Sequence, residues 1–391
     1  MIPTVLVYRS SLLPFSETFI REQLQSYRNW RGILIGHRLI QQLDLKNLDV
    51  RLIGETMGHA TFLMQEARKY LGMPGLSRAL LQEKPSLLHA HFGPDAITAA
   101  PIAQLLGLPL IVTLHGYDIN IRPQWWKSGN GGKAMRGYPR ALLKLAARPD
   151  VHFVAVSNAI RQQAILYGIS PQKISTHYIG VDVSRIRPGC VPIPQRRQRL
   201  LFVGRLVEKK GCEYLLRAAQ IVKSHMPGLE LVIVGDGPLR SGLERLSDEL
   251  DIGASFMGAL SPADVKGELD RAQLLCLPSI HAQNGDAEGF GLVLLEAQAA
   301  GVPVISSARG GAEEGIAHGI TGFQVEEGRI GALADRISEI LTNPVKAAAM
   351  GKAGRDFVSS RFDIRQCTQS LECLYDKIAK LPGAHRGSCQ H

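Results

Sequence analysis

The amino-acid sequence predicts an α/β protein built from two doubly wound parallel-sheet domains, and three observations support this prediction. Short apolar runs alternate with longer helical patterns along the chain, which is typical of parallel sheets covered by helices on both faces. The runs are continuously apolar, as expected for strands that are buried on both sides. The chain of 391 residues is also longer than a single hydrophobic core usually is.

The apolar runs form two series of predicted strands, separated by predicted helices. The first series is 4–8, 86–92, 110–116 and 152–157, and the second is 200–205, 229–235, 273–279 and 302–307. The helices are predicted at 16–28, 95–106, 158–167, 213–225, 261–271, 331–342 and 364–380.

A charge-free stretch at 96–117 is long enough to suggest a membrane span. Pro101, Gly107 and Pro109 interrupt it, so we interpret it as a helix, a turn and a strand.

The boundary between the two domains is predicted within 180–199, which holds three prolines and has no helical or strand period. We therefore place the first domain at 1–184 and the second at 185–363. Ligands of doubly wound domains bind at the carboxyl ends of the strands, so the cleft between the domains is the expected site.

Charge is unevenly distributed along the chain. The net charge is +10; residues 1–184 hold 20 Lys or Arg against 11 Asp or Glu, and residues 185–391 hold 25 against 24. A basic first half predicts an anionic partner, which is a membrane surface, a phospholipid-linked substrate or a nucleic acid; solubility alone is the alternative explanation.

The six cysteines include no C-x-x-C pair, which argues against a disulfide framework or a zinc site and favours a reducing compartment. The N-terminus MIPTVLVYRSSLLPF lacks a basic lead and a long apolar core, so we expect no signal peptide and a cytoplasmic protein.

Two glycine-rich turns follow predicted strands of the second domain. In GRLVEKKG, 204–211, Arg205 and Lys210 are suited to a diphosphate, although a solvated basic turn would have the same composition. In VGDGPLR, 234–240, the pattern begins like a dinucleotide fingerprint, but Arg240 stands where a third small residue is needed, which disfavours a nicotinamide dehydrogenase.

The segment GDAEGFGLVLLEAQAAG, 285–301, combines a helix start with two carboxylates. Gly289, Phe290 and Gly291 precede a strong helix-forming run that begins at Leu292, and the N–H groups of a helix start bind anions. Glu288 lies just before this helix and Glu296 lies within it, and carboxylates accept hydrogen bonds from sugar hydroxyls. A ligand that carries both phosphates and sugars would use both kinds of group. A helix-start carboxylate is otherwise only a minor electrostatic contribution.

Histidines lie at the ends of two strands of the first domain. His115 in HGYD, 115–118, is expected at the edge of the cleft, where a histidine is more often functional than elsewhere. His89 and His91 share one face of a strand, but no third ligand is near in sequence, so we expect no zinc.

The segment 122–140 mixes Trp125 and Trp126 with Lys127, other basic residues and glycines. As a mobile loop it would suit a membrane interface, an acceptor with phosphate and sugar parts, or single-stranded nucleic acid. A disordered loop without a partner is the alternative.

Seven motifs follow one another along the chain: HGYD, SNAIR (157–161), GVD (180–182), GRLVEKKG, VGDGPL, E-x7-E and GG-x-x-E (310–314). Their identity and order resemble the retaining glycosyltransferases of family 4. The match covers nearly the whole chain. PFSETFI (14–20) and SIHAQNGDAEGFG (279–291) resemble more narrowly the colanic acid and amylovoran type of exopolysaccharide glycosyltransferases. The resemblance implies the GT-B fold, which is two Rossmann-like domains across a cleft, with the last helix, within 364–391, returning to the first domain.

The resemblance also implies a role for each matching residue. Arg205 and Lys210 would bind the donor diphosphate, together with the backbone of Gly291 and Leu292. The donor sugar would be contacted by Glu288, Gly289, Phe290 and Gly291, and Glu288 is also tied to catalysis. Glu296 would hold the nucleotide ribose, and His115 would lie near the reacting sugar.

The implied reaction moves a hexose from a UDP- or GDP-sugar to a saccharide or polyprenyl-diphosphate-linked acceptor, without a metal or other cofactor. The glycine-rich loop that many relatives carry after the first strand is replaced here by YRSSLLPFSETF, where Ser16 and Glu17 are candidate acceptor contacts. A nucleotide-sugar epimerase or hydrolase of the same fold is the alternative, and a nucleic-acid-binding protein is not expected.

Overall fold

The computed structural model describes residues 2–14, 17–40, 43–53, 80–307 and 309–380. The chain divides into two compact units, which are Met1–Gly180 with Ile364–His391 (unit 1) and Val181–Asp363 (unit 2). The boundary between the units thus falls four residues before the one predicted from the sequence.

Unit 1 is organised around a seven-stranded parallel sheet. Its strands are β1 (Thr4–Tyr8), β3 (Arg31–Gly36), β5 (Asp49–Leu52), β6 (Pro85–His91), β7 (Leu110–Leu114), β8 (Val151–Ala155) and β9 (Ile174–Thr176). Their order across the sheet is β5-β3-β1-β6-β7-β8-β9. A separate short pair consists of β2 (Ser11–Leu12) and β4 (Arg38–Leu39).

The described helices of unit 1 are α1 (Thr18–Ser26), α2 (Gly93–Leu106), α3 (Tyr117–Asn120), α4 (Pro123–Lys127), α5 (Tyr138–Ala146), α6 (Asn158–Tyr167) and the C-terminal helix. The charge-free stretch is therefore the helix α2, the turn at Gly107 and the strand β7, as predicted. None of the helices in the described residues combines the length and the apolar character that crossing a bilayer requires.

Unit 2 contains a six-stranded parallel sheet. Its strands are β10 (Arg199–Val203), β11 (Glu230–Val234), β12 (Ser255–Gly258), β13 (Leu274–Leu277), β14 (Val304–Ser306) and β15 (Gly322–Gln324). Their order across the sheet is β12-β11-β10-β13-β14-β15. Its helices are α7 (Cys212–His225), α8 (Arg240–Glu249), α9 (Pro262–Arg271), α10 (Leu292–Ala299), α11 (Gly311–Glu314), α12 (Ile330–Leu341) and α13 (Pro344–Arg361).

The last helix, α14 (Ile364–Ala379), packs on α1 and β6 within unit 1. Its buried Glu372 carboxylate accepts hydrogen bonds from the backbone N–H groups of Arg28, Asn29 and Trp30, at 2.9–3.1 Å. Tyr375 is fully buried one turn later. The N–H groups that precede β3 are thus satisfied by the other end of the chain, which ties α14 to this unit.

Candidate active site

The turn after β10 is held close to its neighbours by two glycines. A Cβ at Gly235 would lie 1.9 Å from the carbonyl oxygen of Gly204, so only glycine lets the turns after β10 and β11 approach this closely. Gly211 has a φ of +63°, and a Cβ there would lie 1.9 Å from the carbonyl oxygen of Pro278. The basic turn 204–211 is therefore packed directly against the segment that follows β13.

Lys210 and Glu288 form an ion pair at this point of contact. Their side chains are only 15% and 11% exposed, and the hydroxyl of Ser279 lies 3.4 Å from the same Glu288 oxygen. Burial alone would raise the pKa of Glu288, but the charges of Lys210 and Lys209 outweigh it and hold that pKa below its ordinary value. The site therefore contains a carboxylate and an ammonium group that are both charged and both largely removed from water.

A second ion pair, formed by the neighbouring lysine, lies next to the first. Lys209 Nζ lies 3.0 Å from the carboxylate of Asp286, and the Lys209 carbonyl accepts a 2.8 Å hydrogen bond from the N–H of Ile280. The N–H of Gln283 donates to the Glu208 carboxylate at 3.0 Å. These contacts fix the segment 279–287 against the basic turn.

The helix α10 begins beside Glu288. Its N-cap Gly291 has a φ of +74°, which favours glycine, and Leu292 is its first residue. The side chain of Phe290 is buried and packs edge-on against Phe362, with 5.4 Å between the ring centroids. Phe290 can therefore offer a ligand its backbone, whereas its ring belongs to the interior of unit 2.

Of the residues predicted to contact a donor, the structure brings Lys210 and Glu288 into direct contact. Arg205 is exposed on the same turn as Lys210. Glu296 is half-buried, on the helix that starts at Leu292.

In unit 1, Asp118 organises the backbone around His115. The buried Asp118 carboxylate accepts hydrogen bonds from the N–H groups of Gly93, His115 and Gly116, at 2.9–3.2 Å. Burial raises the pKa of Asp118 to about 6, and these hydrogen bonds oppose the rise. The backbone of His115 is thus fixed at the end of β7.

Three histidines lie together beside this backbone. His91 Nδ1 is 3.0 Å from His115 Nε2, and the ring of His89 stacks on that of His91 with 4.5 Å between centroids. Burial lowers the pKa of His89 to about 3, and it lowers the pKa of His91 and of His115 well below 6.5. Despite this cluster, no group of three or more His, Cys, Asp or Glu within the described ranges is arranged to hold a metal ion.

An ionic cluster follows β1, and it was not predicted from the sequence. The Arg9 guanidinium binds both oxygens of Glu17, at 2.7 and 2.9 Å, and an oxygen of Asp95 at 2.5 Å. Asp95 also accepts hydrogen bonds from the N–H and the hydroxyl of Ser10, at 2.8 and 2.7 Å. The Glu17 carboxylate, a candidate acceptor contact, is buried and already bound, and Ser16 lies outside the described residues. The available signal was Arg9 itself, a charge placed directly after a buried strand.

The tryptophan segment differs from its prediction. It is not a loop throughout, since it contains the helix α4, a short 3₁₀ turn at Lys133–Met135 and the first residues of α5. Trp126 is 4% exposed and packs on Tyr138 with 4.8 Å between centroids, so it is an interior residue and not a membrane or acceptor contact. Trp125 is half-buried and Lys127 is exposed.

Comparison with known proteins identifies the family. A model described as Glycosyltransferase Family 4 matches residues 46–185, and one described as Glycosyl transferases group 1 matches residues 190–357. A GDP-mannose-dependent monoacylated alpha-(1-6)-phosphatidylinositol monomannoside mannosyltransferase of Corynebacterium glutamicum is 31% identical over 282 residues, which are 68% of this chain and 71% of the relative. The chain belongs to the family 4 glycosyltransferases.

Two further comparisons bear on this glycosyltransferase. A Salmonella typhimurium protein that carries the name of a colanic acid biosynthesis glycosyltransferase is 31% identical over 295 residues, 74% of this chain and 70% of the relative. The solved structure of Anabaena HepE in complex with UDP-glucose has a TM-score of 0.76 and 21% identity, and the match covers 97% of this chain and all of HepE. Both the resemblance seen in the motif order and the predicted GT-B fold are confirmed.

Proposed function

We propose that this glycosyltransferase moves a hexose from a UDP- or GDP-sugar to a saccharide or lipid-linked oligosaccharide acceptor, with retention of anomeric configuration and without a metal ion. The observation that carries the proposal is the Lys210–Glu288 pair beside the start of α10. It places a cation, a carboxylate and a helix start at one point of unit 2, and a donor that carries both a diphosphate and a sugar needs these three groups.

Each part of the nucleotide-sugar donor then has a partner in unit 2. Lys210 and the exposed Arg205 bind the diphosphate, with the backbone of Gly291 and Leu292. Glu288 accepts hydrogen bonds from the sugar hydroxyls, and Glu296 holds the ribose. The choice of nucleotide is supported by relatives of both kinds, since the Corynebacterium enzyme is named for GDP-mannose and HepE was solved with UDP-glucose.

The chemistry follows from charge that develops on the leaving diphosphate. Lys210 and Arg205 stabilise that charge, and they do so most effectively where water is excluded. Among the described residues of the site no side chain is a clear nucleophile, so the acceptor attacks the same face that the diphosphate leaves. The sequence contains no D-x-D motif, which supports transfer without a metal.

The cellular setting we propose is the synthesis of bacterial exopolysaccharide, capsule or lipopolysaccharide, at the cytoplasmic face of the membrane. The Salmonella relative, named for colanic acid biosynthesis, supports it.

A panel of nucleoside diphosphates and nucleotide sugars tests the donor class. A matching donor at a hundred times its Kd adds about 2.7 kcal/mol to the free energy of unfolding and raises the thermal midpoint. Incubation with that donor and an acceptor, followed by NMR of the anomeric proton, then reports the linkage. An inverted anomer contradicts retention, and conversion of the donor without an acceptor supports the epimerase or hydrolase alternative.

We also propose that unit 1 contacts an anionic membrane. No acidic residue lies between Asp118 and Asp150, a segment that carries seven Lys or Arg. Six of these seven are exposed: Arg122, Lys127, Lys133, Arg136, Arg140 and Lys144. Each basic side chain near an anionic bilayer contributes about 1 kcal/mol of binding.

Reversing three of these charges, in Arg136→Glu/Arg140→Glu/Lys144→Glu, is expected to weaken binding to phosphatidylglycerol-containing vesicles about a hundredfold. Co-sedimentation measures it, with pure phosphatidylcholine vesicles as the reference. The matched control is Arg245→Glu/Lys352→Glu, which reverses exposed charges of unit 2. If the wild-type protein does not co-sediment with the anionic vesicles, the proposed membrane contact is excluded.

A further inference from the structure

The ring of His115 is held by contacts on several sides. It lies against the rings of Phe92 and Phe19, with 4.3 and 5.0 Å between centroids. Its Nε2 faces His91, and its backbone is fixed by Asp118. The ring nitrogen that does not face His91 is Nδ1. Since the residue keeps partial exposure, Nδ1 is the nitrogen through which His115 can contact a ligand.

The neighbouring ring, that of His91, is held even more firmly. It is 1% exposed, and it stacks on His89. Both nitrogens of His89 are engaged in turn, Nδ1 by the hydroxyl of Tyr375 and Nε2 by that of Thr113, at 2.6 Å each. His91 therefore cannot rotate without disturbing a ring that is bound at both ends.

The position of the proton between His91 and His115 follows from the buried Nε2 of His91, which has no hydrogen-bond partner among the described residues. Both rings are neutral because burial lowers their pKa, so each carries one N–H. A proton on His91 Nε2 would be a buried donor without an acceptor, which folded proteins rarely tolerate. It would also be repelled by the positive charge of Arg9, which is near enough to lower the pKa of His91.

With that position unfavourable, the proton of His91 resides on Nδ1 and is donated to Nε2 of His115. Nε2 of His115 is then the acceptor, and the proton of His115 must reside on Nδ1. One hydrogen bond at 3.0 Å thus determines which form of His115 faces the ligand.

We propose that His91 is a positioning residue that fixes His115 in the Nδ1–H tautomer, so that His115 meets the substrate as a hydrogen-bond donor. In this form Nδ1 has no free lone pair. His115 can therefore donate to a sugar or phosphate oxygen, but it cannot take the proton of the acceptor hydroxyl. The role of His115 at the reacting sugar rests on the proposed function, whereas the tautomer rests on the geometry of unit 1.

The test is a long-range proton–nitrogen NMR correlation of the full chain labelled with ¹⁵N-histidine, recorded at neutral pH. It distinguishes a protonated ring nitrogen from an unprotonated one, and the spectrum of His115→Gln assigns the signals of His115. We expect a protonated Nδ1 and an unprotonated Nε2 for His115. A protonated Nε2 on His115 in the wild-type protein overturns the proposal, and this outcome needs no variant at His91 and no enzymatic activity.

Two variants at His91 connect the tautomer to turnover. In His91→Leu the hydrogen bond is lost, and we expect Nε2–H signals to appear for His115 while kcat falls about tenfold and the donor KM changes little. In His91→Asn the amide nitrogen takes the place of Nδ1, and we expect both the Nδ1–H form and most of kcat to return. If kcat falls equally in the two folded variants, His91 has only a structural role. If the tautomer is as expected but no variant or wild-type protein transfers sugar, it is the proposed function that fails.

Discussion

Replacing Lys210 by methionine is expected to lower kcat by about a hundredfold or more, because loss of one group that stabilises developing charge costs about 10²–10³ in rate. The same change leaves Glu288 without its partner in a site where both side chains are nearly buried. Breaking such a pair costs about 3 kcal/mol, the lower end of the range for buried ion pairs. The rate is measured at saturating donor. All three tryptophans lie in unit 1, so tryptophan fluorescence does not report on unit 2. Urea unfolding is therefore followed by far-UV circular dichroism, which includes the helices of unit 2.

A double variant separates the two effects of Lys210→Met. In Lys210→Met/Glu288→Leu no charge is left unpaired, so we expect the stability of unit 2 to return to within about 1 kcal/mol of wild type. Turnover should stay low, because the double variant has neither the Lys210 ammonium nor the Glu288 carboxylate to bind the sugar donor. Lys209→Met is the matched control, since it removes the neighbouring lysine, whose partner is Asp286. Wild-type turnover in Lys210→Met would remove this lysine from the donor site.

The parts of the fold that could be predicted are the strands with neighbours on both sides. Runs such as 4–8 and 200–205 are continuously apolar because helices cover both faces of their sheets. The structure adds strands that were not predicted, and four of them are the sheet edges: β5, β9, β12 and β15. Edge strands are short and partly exposed, so their sequences, DVRL and SFMG among them, carry no continuous apolar signal. The inner strand β3, RGILIG, was not predicted, although its last four residues are buried and three of them are apolar.

The candidate site was predictable in its residue types but not in its pairing. Motif order identified Lys210 and Glu288, yet they are 78 positions apart, and nothing local indicates that they form one ion pair. The same holds for Arg9 and Asp95, which are 86 positions apart and meet because β1 and β6 are adjacent in the sheet. Likewise, the strand spacing showed that His89 and His91 share a face, but only the pairing of β6 with β7 brings His115 to them.

Acidification is expected to destabilise unit 1, because two of its histidines are buried as neutral rings. His89 and His91 are 0% and 1% exposed, and burial lowers the pKa of His89 to about 3 and that of His91 well below 6.5. Above pH 6.5 both the folded and the unfolded chain are neutral at these positions. Below it the unfolded chain takes up protons that the folded chain cannot, so stability is lost as the pH falls. Between pH 7 and pH 5 each ring costs about 2 kcal/mol.

Asp118 acts in the opposite direction over the same pH range. Its pKa in the folded chain is about 6, above the ordinary 3.8, so the folded chain takes up its proton first and gains stability as the pH falls. The gain is about 1 kcal/mol between pH 7 and pH 5. For these three groups together the expected net loss is about 3 kcal/mol, a large part of the stability of an ordinary domain, and His115, whose pKa is also lowered by burial, adds to the loss.

Tryptophan fluorescence during urea unfolding at pH 7, 6 and 5 measures this loss in unit 1 alone, because unit 2 contains no tryptophan. Variants with opposite expected effects distinguish the contribution of the buried histidines from that of the Asp118 carboxylate. In His91→Leu the loss between pH 7 and pH 5 should shrink by about 2 kcal/mol, whereas in Asp118→Asn it should grow by about 1 kcal/mol. His281→Asn, at an exposed position of unit 2, should leave the loss unchanged. A stability of unit 1 that does not depend on pH in this range would mean that His89 and His91 are accessible to protons in the folded chain, and it would contradict the buried neutral cluster beside His115.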